Sequence, residues 1–347
     1  MEFKGFTETT DQDYANHNVS RLEEKFNLIP ILSDAQFDIF EGKYYLEPVW
    51  KGIRGAYGGE PIAQGLAAIL ETVTDDYYPH SYHCYFLKPA STESPIRWQV
   101  EKLSNGRTFS TRIAKGYQKH NNNLIFLINA SLTKNNDIKQ NQLAYAKLQK
   151  QKPDKIDKIP VPYEFASAPN DLFYKYKDNL DTMKAILHTN GNIYQILPPD
   201  FENPPSMKAM SHPRIGNRSL GVFVKAVDDL TKSTNIAKSK SIDFAYILDA
   251  MYLSFLPVAM GIPLNIKTFS FFRVSLDHSV WVHDSNFDPT QWLFFDFVFS
   301  RLLNNRVIIH GRVFTLDERL VASFSQEALV YIPKQVANDA NDGKYKL

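Results

Sequence analysis

The chain has 347 residues, 44% hydrophobic and 22% charged, the proportions of a soluble globular protein with room for two domains or one large one. A formal net charge of +1 gives no electrostatic reason to expect nucleic acid or an acidic membrane as partner. The single cysteine, Cys84, excludes an internal disulfide framework and a cysteine-based zinc site, and fits a reducing compartment.

Residues 1–19 are polar and lack the apolar core of a signal peptide. No run reaches the roughly 18 uninterrupted apolar residues of a membrane span, so none is expected. The sequons at Asn18, Asn129 and Asn217 then read as chance matches, since glycosylation requires secretion. A short amphipathic helix over 21–28 leads into strand-like FDIFEGKYYLEPV (37–49). In RGAYGGEPIAQGLAAILETV (54–73) a Gly58-Gly59 turn opens a helix with Pro61 in its first turn. Ala63, Gly65, Ala67 and Ala68 suit that helix to close packing against a sheet. Strands are predicted over 81–87, 96–103, 108–118 and 124–132, with turns at 104–106 and 120–123. From 133 to 189 the composition turns to Lys, Asn, Gln and Asp, and predicts a solvated connector with one or two helices, such as LAYAKLQK.

The second half repeats this order. Strands are predicted over 193–197 and 221–226, then a helix, then strands over 269–282, 292–299, 306–315 and 320–332. An offset of 185 lays the first helix on the second and pairs Gln64 with Asp249, and an offset of 195 pairs His83 with His278 and His80 with Ser275. The domain reading is a tail over 1–19, a first α+β unit over 20–132, the connector over 133–189, a second unit over 190–335 and a tail over 336–347.

The stretch SIDFAYILDAMYLSFLPVAM (241–260) reads as a buried helix with a carboxylate, Asp249, in its middle. At helical spacing Asp249 neighbours Ala245, Tyr246, Tyr252, Leu253 and Leu256, so it has no solvent stripe to face. A buried carboxylate costs several kcal/mol unless it is well satisfied, so Asp249 is either a structural acid or a working one, and the helix alone leaves both readings open.

The stretches YGGEPIAQGL (57–66), HSYHCYFLKP (80–89), NGRTFSTR (105–112), FAYILD (244–249), SLDHSVWVH (275–283) and LVASFSQE (320–327) together resemble the acyl-CoA thioesterase II family, with most likeness to its fungal peroxisomal members. The resemblance implies an α+β double hotdog, in which two hotdog units each hold a long helix against an antiparallel sheet. It implies hydrolysis of acyl-CoA to fatty acid and coenzyme A. It also implies a catalytic trio of Asp249, Ser275 and Gln326, while the repeat and the residues themselves make Gly58, Gly59, Gln64, His80, His83, Asp277 and His278 candidates to line or support the pocket. No cofactor is expected, because coenzyme A is part of the substrate. A double hotdog already contains the pairing that single hotdogs reach by dimerising, and a further homo-oligomer is implied by the likeness alone. A peroxisomal address is expected from the same likeness and from Tyr345-Lys346-Leu347, whose last two residues fit the import-receptor tripeptide while Tyr345 departs from its small first residue.

A thioester needs an oriented water, a proton acceptor and donors for the oxyanion. Asp249 can accept the proton, and Ser275 and Gln326 can fix the water and the carboxylate. Attack through Ser275 is disfavoured, since no G-x-S-x-G elbow surrounds it. A metal site at His278 and His283 is disfavoured too, because strand residues five apart point to opposite faces. With Gln64 where the second half has Asp249, one working base per chain is expected. The competing readings are a non-catalytic acyl-CoA-binding hotdog and another hotdog chemistry such as enoyl-CoA hydration, which would want a helix histidine paired with the base.

Overall fold

The computed structural model describes residues 18–49, 55–250, 252–264 and 271–334. Most of both predicted tails, including Tyr345 to Leu347, lies outside them.

Among the described residues thirteen antiparallel strands form one sheet in the order β1-β2-β4-β5-β6-β3-β10-β13-β12-β11-β9-β8-β7. The first half contributes β1 (Leu28–Ser33), β2 (Phe37–Gly42), β3 (Tyr78–Phe86), β4 (Ile96–Asn105), β5 (Phe109–Gln118) and β6 (Leu124–Thr133). The second contributes β7 (Ala185–His188), β8 (Ile193–Ile196), β9 (Leu220–Ala226), β10 (Phe272–Val282), β11 (Leu293–Leu303), β12 (Arg306–Thr315) and β13 (Leu320–Tyr331). The halves join where β3 pairs with β10, Cys84 opposite His278 and Tyr82 opposite Val280. This continuous sheet over two paired units is the expected double hotdog.

Each half wraps its sheet around a helix of 12 residues: α2 (Gly59–Leu70) in the first and α6 (Ile236–Ile247) in the second. Every residue of α2 is buried. Gly65 is one reason it can be so, since a Cβ there would stand 3.0 Å from Trp98 and Ile128. Asn235 starts α6 by accepting the amide of Lys238 on its side chain. The two helices pack antiparallel, with Gly59 against the Tyr246 carbonyl at one end and Lys238 paired with Glu71 at the other. The remaining helices are short or peripheral: α1 (Arg21–Lys25), α3 (Ile138–Gln151), α4 (Pro153–Ile156), α5 (Asp171–Tyr176) and α7 (Leu256–Ala259). At the β11–β12 hairpin Asn304 and Asn305 take φ of 51° and 58°, the left-handed pair of a two-residue turn.

Four readings of the sequence need correction. The apolar run 244–260 is not one helix: α6 ends at Ile247, Tyr252–Phe255 forms a 3-10 turn, and α7 restarts with Pro257 in its first turn. Proline lacks the N–H and clashes with the preceding turn, so Pro257 cannot sit inside a continuous helix. Asp249 therefore lies in the turn beyond α6, not mid-helix. Counted from the ends of the two equal helices, its first-half counterpart is Thr72 rather than Gln64. The offset of 195 fails as well, because His278 faces the core opposite Cys84 whereas His83 lies on the outer face, edge-on to Trp281. Residues one apart along a strand point to opposite faces, so superposing β3 on β10 with their core faces matched requires an even offset. Finally, β1 falls partly in the span read as a helix, and β7 lies in the span read as connector.

Ile236–Ala259 has the length and composition of a membrane span, but its described residues are mostly buried inside the fold and divided among α6, the 3-10 turn and α7.

Candidate active site

Three side chains from three elements meet beneath the joint of the two halves. Gln326 on β13 donates from Nε2 to Asp249 Oδ1 at 2.9 Å and to Ser275 Oγ at 2.8 Å. Ser275 Oγ in turn lies 3.5 Å from the same carboxylate oxygen.

A β-bulge makes this meeting happen. The β10–β13 register shifts between Ser275 and Asp277, so Ser275 pairs with Ala328 and His278 with Gln326. Ala328 and Gln326 share one face of β13, which puts Ser275 and His278 on that face too, although an unbroken strand would separate them. Asp277 is turned away and accepts the Glu327 amide at 3.1 Å.

Asp249 is brought in by the turn after α6. Tyr57 helps fix this end of the helix by donating its hydroxyl to the Tyr246 carbonyl at 2.9 Å. The N-terminal end of α2 closes over the carboxylate, since a Cβ at Gly58 would lie 2.2 Å from Asp249 Oδ2. Only a glycine allows that approach. Burial drives the Asp249 carboxyl up from 3.8 to about 7, against the opposing pull of the hydrogen bonds from Gln326 and Ser275. The site thus holds a carboxylate that is half-ionised near neutral pH and fixed in one rotamer.

Asp249 and Ser275 open onto a cleft of about 630 Å³. Its walls are mostly apolar, with Pro61, Phe86, Phe126, Tyr252, Leu253 and Phe271 among them, which suits an acyl chain. Tyr252 stacks on Phe324 with ring centroids 5.1 Å apart, so this wall is anchored in the core.

The remaining candidates distribute unevenly. Gly58 lines the cleft, and Gly59 packs against the Tyr246 carbonyl at the start of the same helix. Gln64 does not reach the cleft: its Oε1 accepts the Trp98 indole N–H at 3.0 Å inside the first half. His80 and His83 lie elsewhere on β3, against Phe109 and Trp281. His278 is wholly buried beside Phe324, and burial lowers its pKa to about 3. Among the described residues no three histidine, cysteine or carboxylate side chains converge as metal ligands would. Sequence reasoning missed Tyr57, Tyr252 and Arg273 as cleft residues, although Tyr57 directly precedes the Gly-Gly pair it supports.

Comparison with known proteins places this geometry in a family. The profile of the acyl-CoA thioesterase N-terminal domain matches residues 46–133, and that of the C-terminal domain matches residues 203–330. The chain is 28% identical to a peroxisomal acyl-coenzyme A thioester hydrolase of Saccharomyces cerevisiae over 90% of its own length and 95% of the relative's. It is 26% identical to human acyl-coenzyme A thioesterase 8, covering 86% of each chain. Among solved structures it resembles an acyl-CoA thioesterase II from Mycobacterium marinum, with a TM-score of 0.60 and 20% identity over 90% of this chain and 98% of the other. The two profiles cover more than half of the sequence and both units of the fold, and the chain belongs to the acyl-CoA thioesterase family. Its reaction is the hydrolysis of an acyl-CoA thioester.

Proposed function

We propose that the chain hydrolyses fatty acyl-CoA by direct attack of water, with Asp249 as general base and Ser275 and Gln326 as the groups that orient it. Asp249 takes a proton from the water as its oxygen adds to the thioester carbonyl. The C–S bond then breaks, and the proton passes to the departing coenzyme A thiolate, regenerating the carboxylate. Gly58, the residue that caps the start of α2, lies beside this centre, and the amides at this helix end have no intrahelical acceptors, which suits them to a developing oxyanion. Gln326 Oε1 is buried without a protein partner among the described residues, and an attacking water would supply it with a donor. Coenzyme A enters as part of the substrate, so no separate cofactor is needed.

The observation that carries this reading is the shared contact of Gln326 with Asp249 and Ser275 at 2.9 and 2.8 Å in an apolar cleft. Thiol release from a panel of acyl-CoAs tests it. Turnover by wild type that is lost on changing any of the three supports the reading, and a chain that binds acyl-CoA without releasing thiol refutes it.

A peroxisomal location is supported by the likeness to the yeast peroxisomal relative. A fluorescent fusion that leaves the C-terminus free should be punctate and coincide with a peroxisomal marker. Diffuse fluorescence would place the enzyme in the cytosol.

A further inference from the structure

Arg273 and Lys88 line the same cleft as Asp249 and Ser275, whereas among the described residues Asp249 is the only carboxylate in that lining. Arg273 stands two residues before Ser275 and ahead of the bulge, so the two side chains leave the same face of β10 about 7 Å apart. Arg273 itself is only partly buried, whereas Gln326 deeper in the site is 1% exposed. Lys88 follows two residues after the end of β3, the strand paired with β10, and lines the same cleft as Arg273.

Among the described residues no acid answers this arginine. Its guanidinium donates to Ser254 Oγ at 3.0 Å and to the Phe271 carbonyl at 3.3 Å, and it rests 5.0 Å from the centre of the Phe271 ring. All three partners are neutral, and two of five N–H donors are used. Elsewhere in the fold Arg312 is matched with Asp296 and Arg319 with Asp284, each at 2.6 Å, while Arg218, outside the cleft lining, donates to the carbonyls of His212 and Ala259. Arg112, which lacks a carboxylate, spends its donors on five protein acceptors instead. Lys88 donates to the neutral Asn123 Oδ1 at 3.0 Å and has no acid partner among the described residues. Burial alone pulls on Arg273 and lowers its pKa, with no opposing charge to restore it. A partly desolvated fork with open donors in a ligand cleft is built for an anion that arrives with the ligand.

The geometry points to Arg273, assisted by Lys88, as the anchor for the phosphate groups of coenzyme A at the open end of the cleft, an assignment that rests on the acyl-CoA reading and deepens it. Phosphates are the chemistry selected here because they offer several oxygens to a planar fork and lie on the far side of the pantetheine arm from the reacting carbonyl. The acyl chain is left to the apolar walls.

The test compares acyl-CoA with the matching acyl-pantetheine, which keeps the thioester, both amides and the acid product but carries no phosphate. Arg273→Met should raise KM for acyl-CoA about 10- to 100-fold with kcat within about twofold, and should shift neither constant by more than about twofold on acyl-pantetheine. Lys88→Met should show the same selectivity at smaller size. An unchanged KM for acyl-CoA, or an equal loss on both substrates, would overturn the assignment. Should thermal melts show that Arg273→Met does not fold, Arg273→Lys decides: it keeps the charge but loses the fork, so a rise of a few-fold in KM confined to acyl-CoA supports the role, and no rise refutes it. Wild-type turnover of acyl-CoA is the control, and its absence would count against the thioesterase reading itself.

Discussion

Gly58 stands so close to Asp249 that a Cβ added to it would fall 2.2 Å from Oδ2 and 3.1 Å from the carboxyl carbon. The clashing atoms end a short side chain held by Gln326, so they cannot swing aside without breaking that bond. Gly58→Ala should therefore displace the carboxylate and lower kcat by about 10² while the protein still folds, because misplacements near 1 Å can cost that much. Thiol-release kinetics with a thermal melt check this. Wild-type kcat in the folded alanine variant would mean that the approach has no functional part.

Gln326 and Ser275 position the same carboxylate, so their effects should not add. Each single alanine variant should lose activity, and the double variant should lose less than the product of the two losses. Fully multiplicative losses would show that the two residues act independently.

Burial sets two linked pH dependences at Asp249. As general base it works when ionised, so kcat/KM should rise with pH through a midpoint near about 7. Stability should move the other way. The folded value lies above the ordinary 3.8, so the native state holds its proton more tightly, and stability is lost as pH rises from that ordinary value through about 7. Glu60, also raised to about 7 by burial despite Lys25, pulls in the same direction. Asp249→Asn should thus match wild type in melting temperature near about pH 4 and exceed it increasingly up to neutral pH, with no further change above the raised value. A constant difference at all pH would contradict the buried, high-pKa carboxylate.

Gln64 separates the sequence reading from the structure. Alignment of the halves sets it on Asp249, but its amide serves the Trp98 indole inside the first unit. Gln64→Ala should keep kcat and KM within about twofold and cost about 1–3 kcal/mol of stability, because it orphans a buried N–H. A large loss of turnover in a stable variant would restore the position to the site.

Much of this was readable before any coordinates. The alternation of β12 and β13 and the Gly-Gly start of α2 are local signals, and the structure has elements where those signals fall. The family motifs named the three residues that converge. Three things escaped. The edge strand β1 runs half-buried and then exposed, so it has no alternation to betray it. The break after Ile247 was hidden by an apolar run whose only mark was Pro257. The bulge between Ser275 and Asp277 cannot be read from composition, yet it decides which side chains share a face, and with it the fate of His278 and of the offset that paired it with His83. Arg273 carries no motif, and its place in the cleft with neutral partners among the described residues is visible only in three dimensions.

The central claim is that Asp249 removes the proton from the attacking water. Asp249→Asn preserves the shape of the side chain and removes that capacity. Measured as thiol release per folded molecule alongside a thermal melt, the variant should lose about 10²- to 10⁴-fold in kcat with KM nearly unchanged and a melting temperature at neutral pH no lower than wild type. An Asp249→Asn enzyme that folds and turns over acyl-CoA at the wild-type rate would contradict the account.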